Sequence, residues 1–230
     1  MKQPFLFSVI DKAVFDFSMI EKGDRILVGA SGGKDSTVLI EYLAMRKRRK
    51  DADFNFTAVF VQTEFSGEFP AGIKKRFDEL GIDFRTIKID VQGRLKPGRK
   101  MNCYWCSMQR RKELIHFAME EGYTKLALGH HLDDILETFL MNALQKGELM
   151  AMRARLQYEK YPLEIIRPLC YANVKTIIEF AAERNFLGYT CTCNFQDNSA
   201  RKTARRRLEL LTDGSDTLKK HLMTAIKSLL

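Results

Sequence analysis

The densest chemical string in the chain is SGGKDS at residues 31–36. It follows a short apolar run over residues 25–30 and precedes Val38, Leu39, Tyr42 and Leu43 at helical spacing. A strand, a glycine loop and a helix in that order make an anion site. Gly32 and Gly33 let the backbone approach a ligand closely, and the first N–H groups of the helix point into the loop with its positive dipole end. Ala30, Ser31, Gly32, Gly33, Lys34, Asp35 and Ser36 are therefore candidate phosphate-binding residues. Ser31 and Ser36 offer hydroxyl donors and Lys34 a positive charge. Asp35 is out of place in a loop that binds only phosphate, because an acid beside a polyphosphate implies a bridging Mg²⁺. The spacing is not GxxxxGK[ST], so this is no Walker A loop.

GHHLDD at residues 129–134 directly follows another apolar run, with Glu137 and Thr138 one turn on. GHHLDDILET resembles the second motif of PP-loop tRNA-modifying enzymes, and that resemblance implies that Gly129, His130, Asp133 and Asp134 join the candidate site, with Lys34, Asp35, Asp133 and Asp134 as the candidate catalytic residues. Two acids in a first helical turn also suit the dipole as caps, and that structural reading stands beside the functional one.

The five cysteines are an odd count without a secretory pattern, which argues against a disulfide framework. Cys103-Tyr-Trp-Cys106 lies where a loop enters a helix, a place that favours thiolates. Cys191 and Cys193 form a second close pair, and Cys170 is expected in the core. Three readings of the pairs stand open: a Zn²⁺ site, a redox dithiol, or an iron–sulfur cluster on Cys103, Cys106 and one distal cysteine. Spacing alone does not separate zinc from iron.

The chain has 38 basic against 29 acidic residues, a net charge of +9, which suits a polyanionic partner. Arg110, Arg111 and Lys112 sit early in a helix, against the dipole preference, so an external anion such as RNA phosphate, or an anionic cluster on the cysteines, is expected near them. Arg201, Lys202, Arg205, Arg206 and Arg207 recur on nearby helical turns and are the second candidate RNA contact. A solvated face is the plainer reading of each run, including RKRRK at residues 46–50. Tyr104 and Trp105 could stack on a base or simply pack. No apolar stretch approaches the roughly 20 residues of a membrane helix. The N-terminus reads as an amphipathic helix interrupted by Asp11, Lys12 and Asp16, not as a signal peptide, so no membrane partner and a cytoplasmic location are expected.

These residues need a frame. Periodicity predicts a helix over residues 5–19 and strands over 25–30, 54–61, 84–89, 125–128 and 163–166. Helices are predicted over 69–80, 107–121 and 177–184, with an apolar stripe from Ile135 to Leu144 and a helical, basic stretch after residue 191. The alternation implies an α/β, doubly wound, mainly parallel sheet with helices on both faces and ligands beyond the C-terminal strand ends. Residues 1–22 read as an N-terminal helix, 23–190 as the nucleotide domain with the CxxC inserted, and 191–230 as the distal cysteine region with a basic helical segment.

SGGKDS resembles the pyrophosphate loop of the PP-loop ATPases, which cleave ATP between the α and β phosphates and adenylate a substrate. MIEKGDRILVGASGGKDS, CYWCSMQRRKEL, YTKLALGHHLDDILETFLMNALQKGEL and IIRPLCYANVKTIIEFAAERNF together resemble the tRNA 2-thiocytidine synthetase family, over about residues 14–210. That resemblance implies a Rossmann-like PP-loop fold, ATP and Mg²⁺, and tRNA as partner. It implies replacement of the C2 oxygen of an anticodon-loop cytidine (cytidine 32) by sulfur, giving 2-thiocytidine. It implies a [4Fe–4S] cluster on three cysteines, fed by a sulfur donor such as a cysteine desulfurase persulfide or sulfide. Cys103 and Cys106 match the family's first pair; Cys191 is the preferred third ligand and Cys193 the second choice. The later pair is CTC where the family has CxxC, and SMQRRKEL departs from its usual basic run, so the modified base stays open. The alternative is adenylation of another tRNA base or a small molecule, with the cysteines on zinc. An exposed face of the first helix offers a possible homodimer contact.

Overall fold

The computed structural model describes residues 3–158, 161–186 and 199–230. Six strands form one sheet in the order β3-β2-β1-β4-β6-β5. β1 is Asp24–Gly29, β2 Phe54–Thr63, β3 Phe84–Ile89, β4 Lys125–Ala127, β5 Arg155–Gln157 and β6 Glu164–Ile166. All neighbours are parallel except β5, which pairs antiparallel with β6 at the edge. The predicted strands are all present; β5 was not predicted. Its RLQ carries no apolar alternation, and only the hairpin partner makes it a strand.

The chain winds outward from β1 through β2 to β3, then returns to pair β4 on the other side of β1. The switch point lies between β1 and β4, where Val28 is level with Ala127. Whatever follows those two strands must meet at the C-terminal edge. SGGKDS follows β1, and GHHLDD follows β4.

β1 shows why the sheet is covered on both faces. Ile26 and Val28 belong to one buried cluster and Leu27 to the other, as the two-residue period of a strand requires. The first cluster packs α1 (Phe5–Asp16), α2 (Lys34–Lys47), α3 (Ala71–Glu79), α5 (Leu132–Lys146) and α6 (Val174–Ala182) against the sheet. The second is closed by the 18-residue α4 (Cys103–Glu120), through Leu114, Ile115 and Ala118. Two more helices follow, α7 (Ser199–Thr212) and α8 (Asp216–Ala225). Leu208 and Met223 bury them in the first cluster, as Phe7 and Ile10 bury α1. The N-terminal helix, the sheet and the last two helices thus share one core, in which Cys170 is also fully buried. Phe5 and Phe15 remain exposed on α1. Among the described residues no helix is long and apolar enough to cross a membrane.

One boundary matters for chemistry. α4 starts at Cys103, four residues before the predicted helix start, because the side chain of Asn102 caps it by accepting from the Trp105 N–H at 2.8 Å. The cysteine pair is therefore the first turn of the helix and not the loop before it.

Candidate active site

α2 is capped by the extended Gly33, and the loop before it closes on itself. Ser36 Oγ donates to the Gly33 carbonyl (3.0 Å) and accepts from the Ser31 N–H (3.1 Å), while the Ser31 and Ser36 hydroxyls lie 3.0 Å apart. The predicted hydroxyl donors thus also shape the loop. Gly32 has φ +76°, and an added Cβ would stand 3.0 Å from Pro70 Cδ, so both conformation and space require glycine there. The opening N–H groups of α2 have no intrahelical acceptor, and they line an anion cradle. Lys34 Nζ lies 2.9 Å from Asp35 Oδ1.

Gly129 stands against this loop. A Cβ there would lie 3.1 Å from both Asp35 C and Ser36 N, so the backbone of the loop would have to move by a few tenths of an ångström. The two motifs are therefore in direct contact, as the switch point demands. Gly129→Ala should weaken ATP binding by about tenfold, since overpacking costs about 1–3 kcal/mol. Calorimetric titration with ATP checks this; wild-type affinity would show the loops can separate.

A cavity of about 340 Å³ opens where the motifs meet. Ala30, Ser31, Asp35, Ser36, Gly129, His130 and Asp134 line one side, and α4 lines the other with Ser107, Arg110, Arg111 and Leu114. Cys103 and Cys106 lie one and two turns before these residues on the same helical face. Arg110 and Arg111, predicted as RNA contacts, therefore face the nucleotide cavity, while Lys112 is exposed.

The cavity wall carries Arg110 and Arg111 as well as Asp35 and Asp134. Arg167 is buried, and its Nε donates to His130 Nδ1 at 3.2 Å. Burial, then the adjacent Arg111, push the Arg167 pKa down to about 10. Burial, then Arg167, push His130 down to about 3, so its ring is neutral and its free Nε2 carries the proton. Arginines crowded together around a cavity fit a polyanionic ligand. The sequence reading did not select Arg167; its position between Ile166 and Pro168, at a strand end, was the available signal.

The two aspartates diverge. Asp134 lines the cavity, accepts from the His131 N–H at 3.1 Å and pairs with Arg201 Nη1 at 2.9 Å. Burial raises its pKa, but His131, His130 and Arg201 outweigh burial and hold it below the usual carboxylate value. Asp133 is buried away from the cavity: Oδ1 takes Lys219 Nζ at 2.8 Å and Oδ2 takes the Val174 N–H at 3.0 Å. His131, which was not selected, lies between them. Its Nε2 is 3.5 Å from Asp134 Oδ2 and 4.0 Å from Asp35 Oδ1, while its buried Nδ1 has no hydrogen-bond partner and sits 3.8 Å from Asp133.

Glu137, 1% exposed, holds α7 in place: Arg205 Nε is 2.7 Å away and Arg201 Nη1 3.4 Å. Arg201 and Arg205, predicted to meet RNA, are thus paired with acids of the second motif. Lys202, Arg206 and Arg207 are exposed on the same helix. Cys191 and Cys193 lie outside the described residues. Cys103 and Cys106 are half-buried at a helix N-terminus, which fits thiolate ligation. Burial pushes the Cys170 thiol far up, so it is no substitute ligand. Among the described residues no three ligating side chains meet as a complete metal site.

Residues 8–210 match a PP-loop domain family. The chain belongs to the PP-loop family. Within it, the chain is similar to the tRNA-cytidine(32) 2-sulfurtransferase of Anaeromyxobacter sp. (strain Fw109-5), 38% identical over 219 residues, covering 93% of this chain and 72% of that protein. The enzyme of the same name from Aliivibrio fischeri (strain MJ11) is 38% identical over 202 residues, covering 85% of this chain and 65% of its own length. Among solved structures, the U34-tRNA thiolase NcsA from Methanococcus maripaludis with its [4Fe–4S] cluster aligns with a TM-score of 0.79 at 21% identity, over 97% of this chain and 78% of that one. An NH3-dependent NAD synthetase from Campylobacter jejuni aligns at 0.53 and 13% identity, over 97% of this chain and 90% of that one. Both confirm the PP-loop fold. In this PP-loop protein the helix that begins with the cysteine pair also lines the cavity, through Ser107, Arg110, Arg111 and Leu114.

Proposed function

We propose that this chain is a cytoplasmic, ATP-dependent tRNA sulfurtransferase that thiolates C2 of cytidine 32. The relatives named for that reaction support the substrate. The observation that carries the reading is that one α4 face joins Cys103 and Cys106 to the wall of the nucleotide cavity.

The α2 N–H groups and Lys34 bind the ATP phosphates. Asp35 and Asp134, which both line the cavity, would hold Mg²⁺, which would supply positive charge to the phosphates. Arg110, Arg111 and Arg167 draw charge off the α-phosphate as it becomes pentacovalent. The His130 Nε2–H donates to the bound substrate. The base oxygen attacks the α-phosphorus, the bond to the β-phosphate oxygen breaks, and pyrophosphate leaves. Sulfide then forms a C–S bond at C2 as the C–O bond to AMP breaks; a pyrimidine carbonyl needs that leaving group. Cys103, Cys106 and Cys191 (or Cys193) would hold a [4Fe–4S] cluster, which would supply sulfur at the sulfide level. Sulfide itself, or a persulfide protein with a two-electron reductant that releases its outer sulfur as sulfide, would be the sulfur donor. The cysteine turn keeps the sulfur near the adenylated base, where effective concentration sets the rate.

Anaerobic purification of wild type and Cys103→Ser, with iron, sulfide and zinc analysis, is the test. The expectation is about four irons and four sulfides per chain, lost in the variant, with ATP affinity retained. Bulk tRNA from a deletion strain should lack 2-thiocytidine. One zinc and no iron would sink the sulfur-carrying cluster.

A further inference from the structure

Three cations that belong to neither of the selected basic runs stand beside the cysteine turn. Lys96, Arg99 and Lys100 lie in the loop between β3 and α4, and all are exposed. The loop is firmly built. Glu64 accepts from the Val91 N–H at 3.0 Å and also from the Gln92 N–H, and Asp90 accepts from the Gly93 N–H at 2.7 Å. Arg94 pairs with Glu113 of α4 at 3.0 Å. The Trp105 indole N–H donates to the Val91 carbonyl at 3.1 Å, and its ring joins the second core cluster.

The nearby acids are thus engaged with the loop itself, and Lys96, Arg99 and Lys100 have no acidic partner among the described residues. Trp105 is the anchor of the loop, whereas Tyr104, between the two cysteines, is 75% exposed. Exposed cations without an acidic partner, four to eight residues before an outward aromatic in an anchored loop, match a nucleic-acid strand whose phosphates and bases are both accessible. An acidic protein partner would use the charges but not the ring.

We infer that this surface docks the substrate RNA: Lys96, Arg99 and Lys100 take backbone phosphates, and Tyr104 stacks on an unpaired base beside the cysteine turn. The assignment rests on the tRNA-thiolation reading and adds the residues that bring the loop of the RNA to the cavity. Phosphate contacts hold register, and the stacked base fixes which nucleotide reaches the site.

The test is tRNA binding across a salt series by the cluster-loaded protein, for wild type, Lys96→Ala/Arg99→Ala/Lys100→Ala, Tyr104→Ala and Tyr104→Phe. Three lost phosphate contacts should lower the slope of log affinity against log salt by about 2 and weaken binding about tenfold or more. Tyr104→Ala should weaken it about 5- to 100-fold at an unchanged slope, with Tyr104→Phe near wild type. ATP affinity and iron content should not change in any of them. A wild-type slope in the triple variant, or wild-type affinity in Tyr104→Ala, overturns the assignment and leaves the thiolation reading standing. A wild type without salt-dependent tRNA binding takes both down.

Discussion

Asp134→Asn should cut ATP–pyrophosphate exchange by about 10²-fold or more and leave the melting temperature close to wild type. The carboxylate lines the cavity, where its charge is needed for the metal and the phosphates. Asparagine keeps the shape and can still accept from the His131 N–H, so the cap survives. What it loses is charge, which the His131 N–H and Arg201 favour on Asp134 against burial, its pKa lying below the usual carboxylate value. Exchange assays and calorimetry on the same preparation check both halves. Wild-type exchange in the variant would remove Asp134 from the chemistry.

Lys219→Met should have the largest effect on stability, a loss of about 3–5 kcal/mol in chemical denaturation. Lys219 and Asp133 have side chains only 5% and 7% exposed, with Nζ and Oδ1 2.8 Å apart. Burial disfavours the ammonium, but its hydrogen bonds to Asp133 and Glu209 outweigh burial and raise its pKa. The stabilisation is therefore complete below the unfolded-state pKa and fades only as pH rises through the higher folded one. Removing the lysine leaves Asp133 charged, buried and held by one backbone N–H. The double variant Asp133→Asn/Lys219→Met should recover most of the loss, because it removes the uncompensated charge. A single-variant cost below about 1 kcal/mol would mean that water or another group reaches Asp133. Lys219 lies beyond residue 210, where the family match ends, so the second motif is supported by a helix outside the matched domain.

The two aspartates mark the line between what was legible and what was not. SGGKDS and GHHLDD could be read because their chemistry is local: a strand, a loop and a helix N-terminus over a dozen residues. Alternating strands and helices then required both to meet at one sheet edge, and the structure has them in contact. The cysteine pair was legible as the junction of a loop and a helix, but the helix start was set four residues late because the Asn102 side-chain cap was not recognised.

Asp133 and Asp134 are neighbours of one residue type, about 100° apart on the helix. Which of them faces the cavity depends on how α5 is rotated against α6 and α8. Arg201 and Arg205 look like any basic helix face until α7 docks on Glu137, 64 and 68 positions away. The partner of Asp133 is 86 positions away. The sequence by itself determined the anion loop and the doubly wound, mainly parallel sheet, and its resemblance to a known family set a cysteine pair beside an ATP site as an expectation; the strand order came from the structure. The tertiary structure decided which charges neutralise one another inside the protein and which are left for a ligand, because burial and proximity between distant segments govern the energy of a charge, and neither is a property of local sequence.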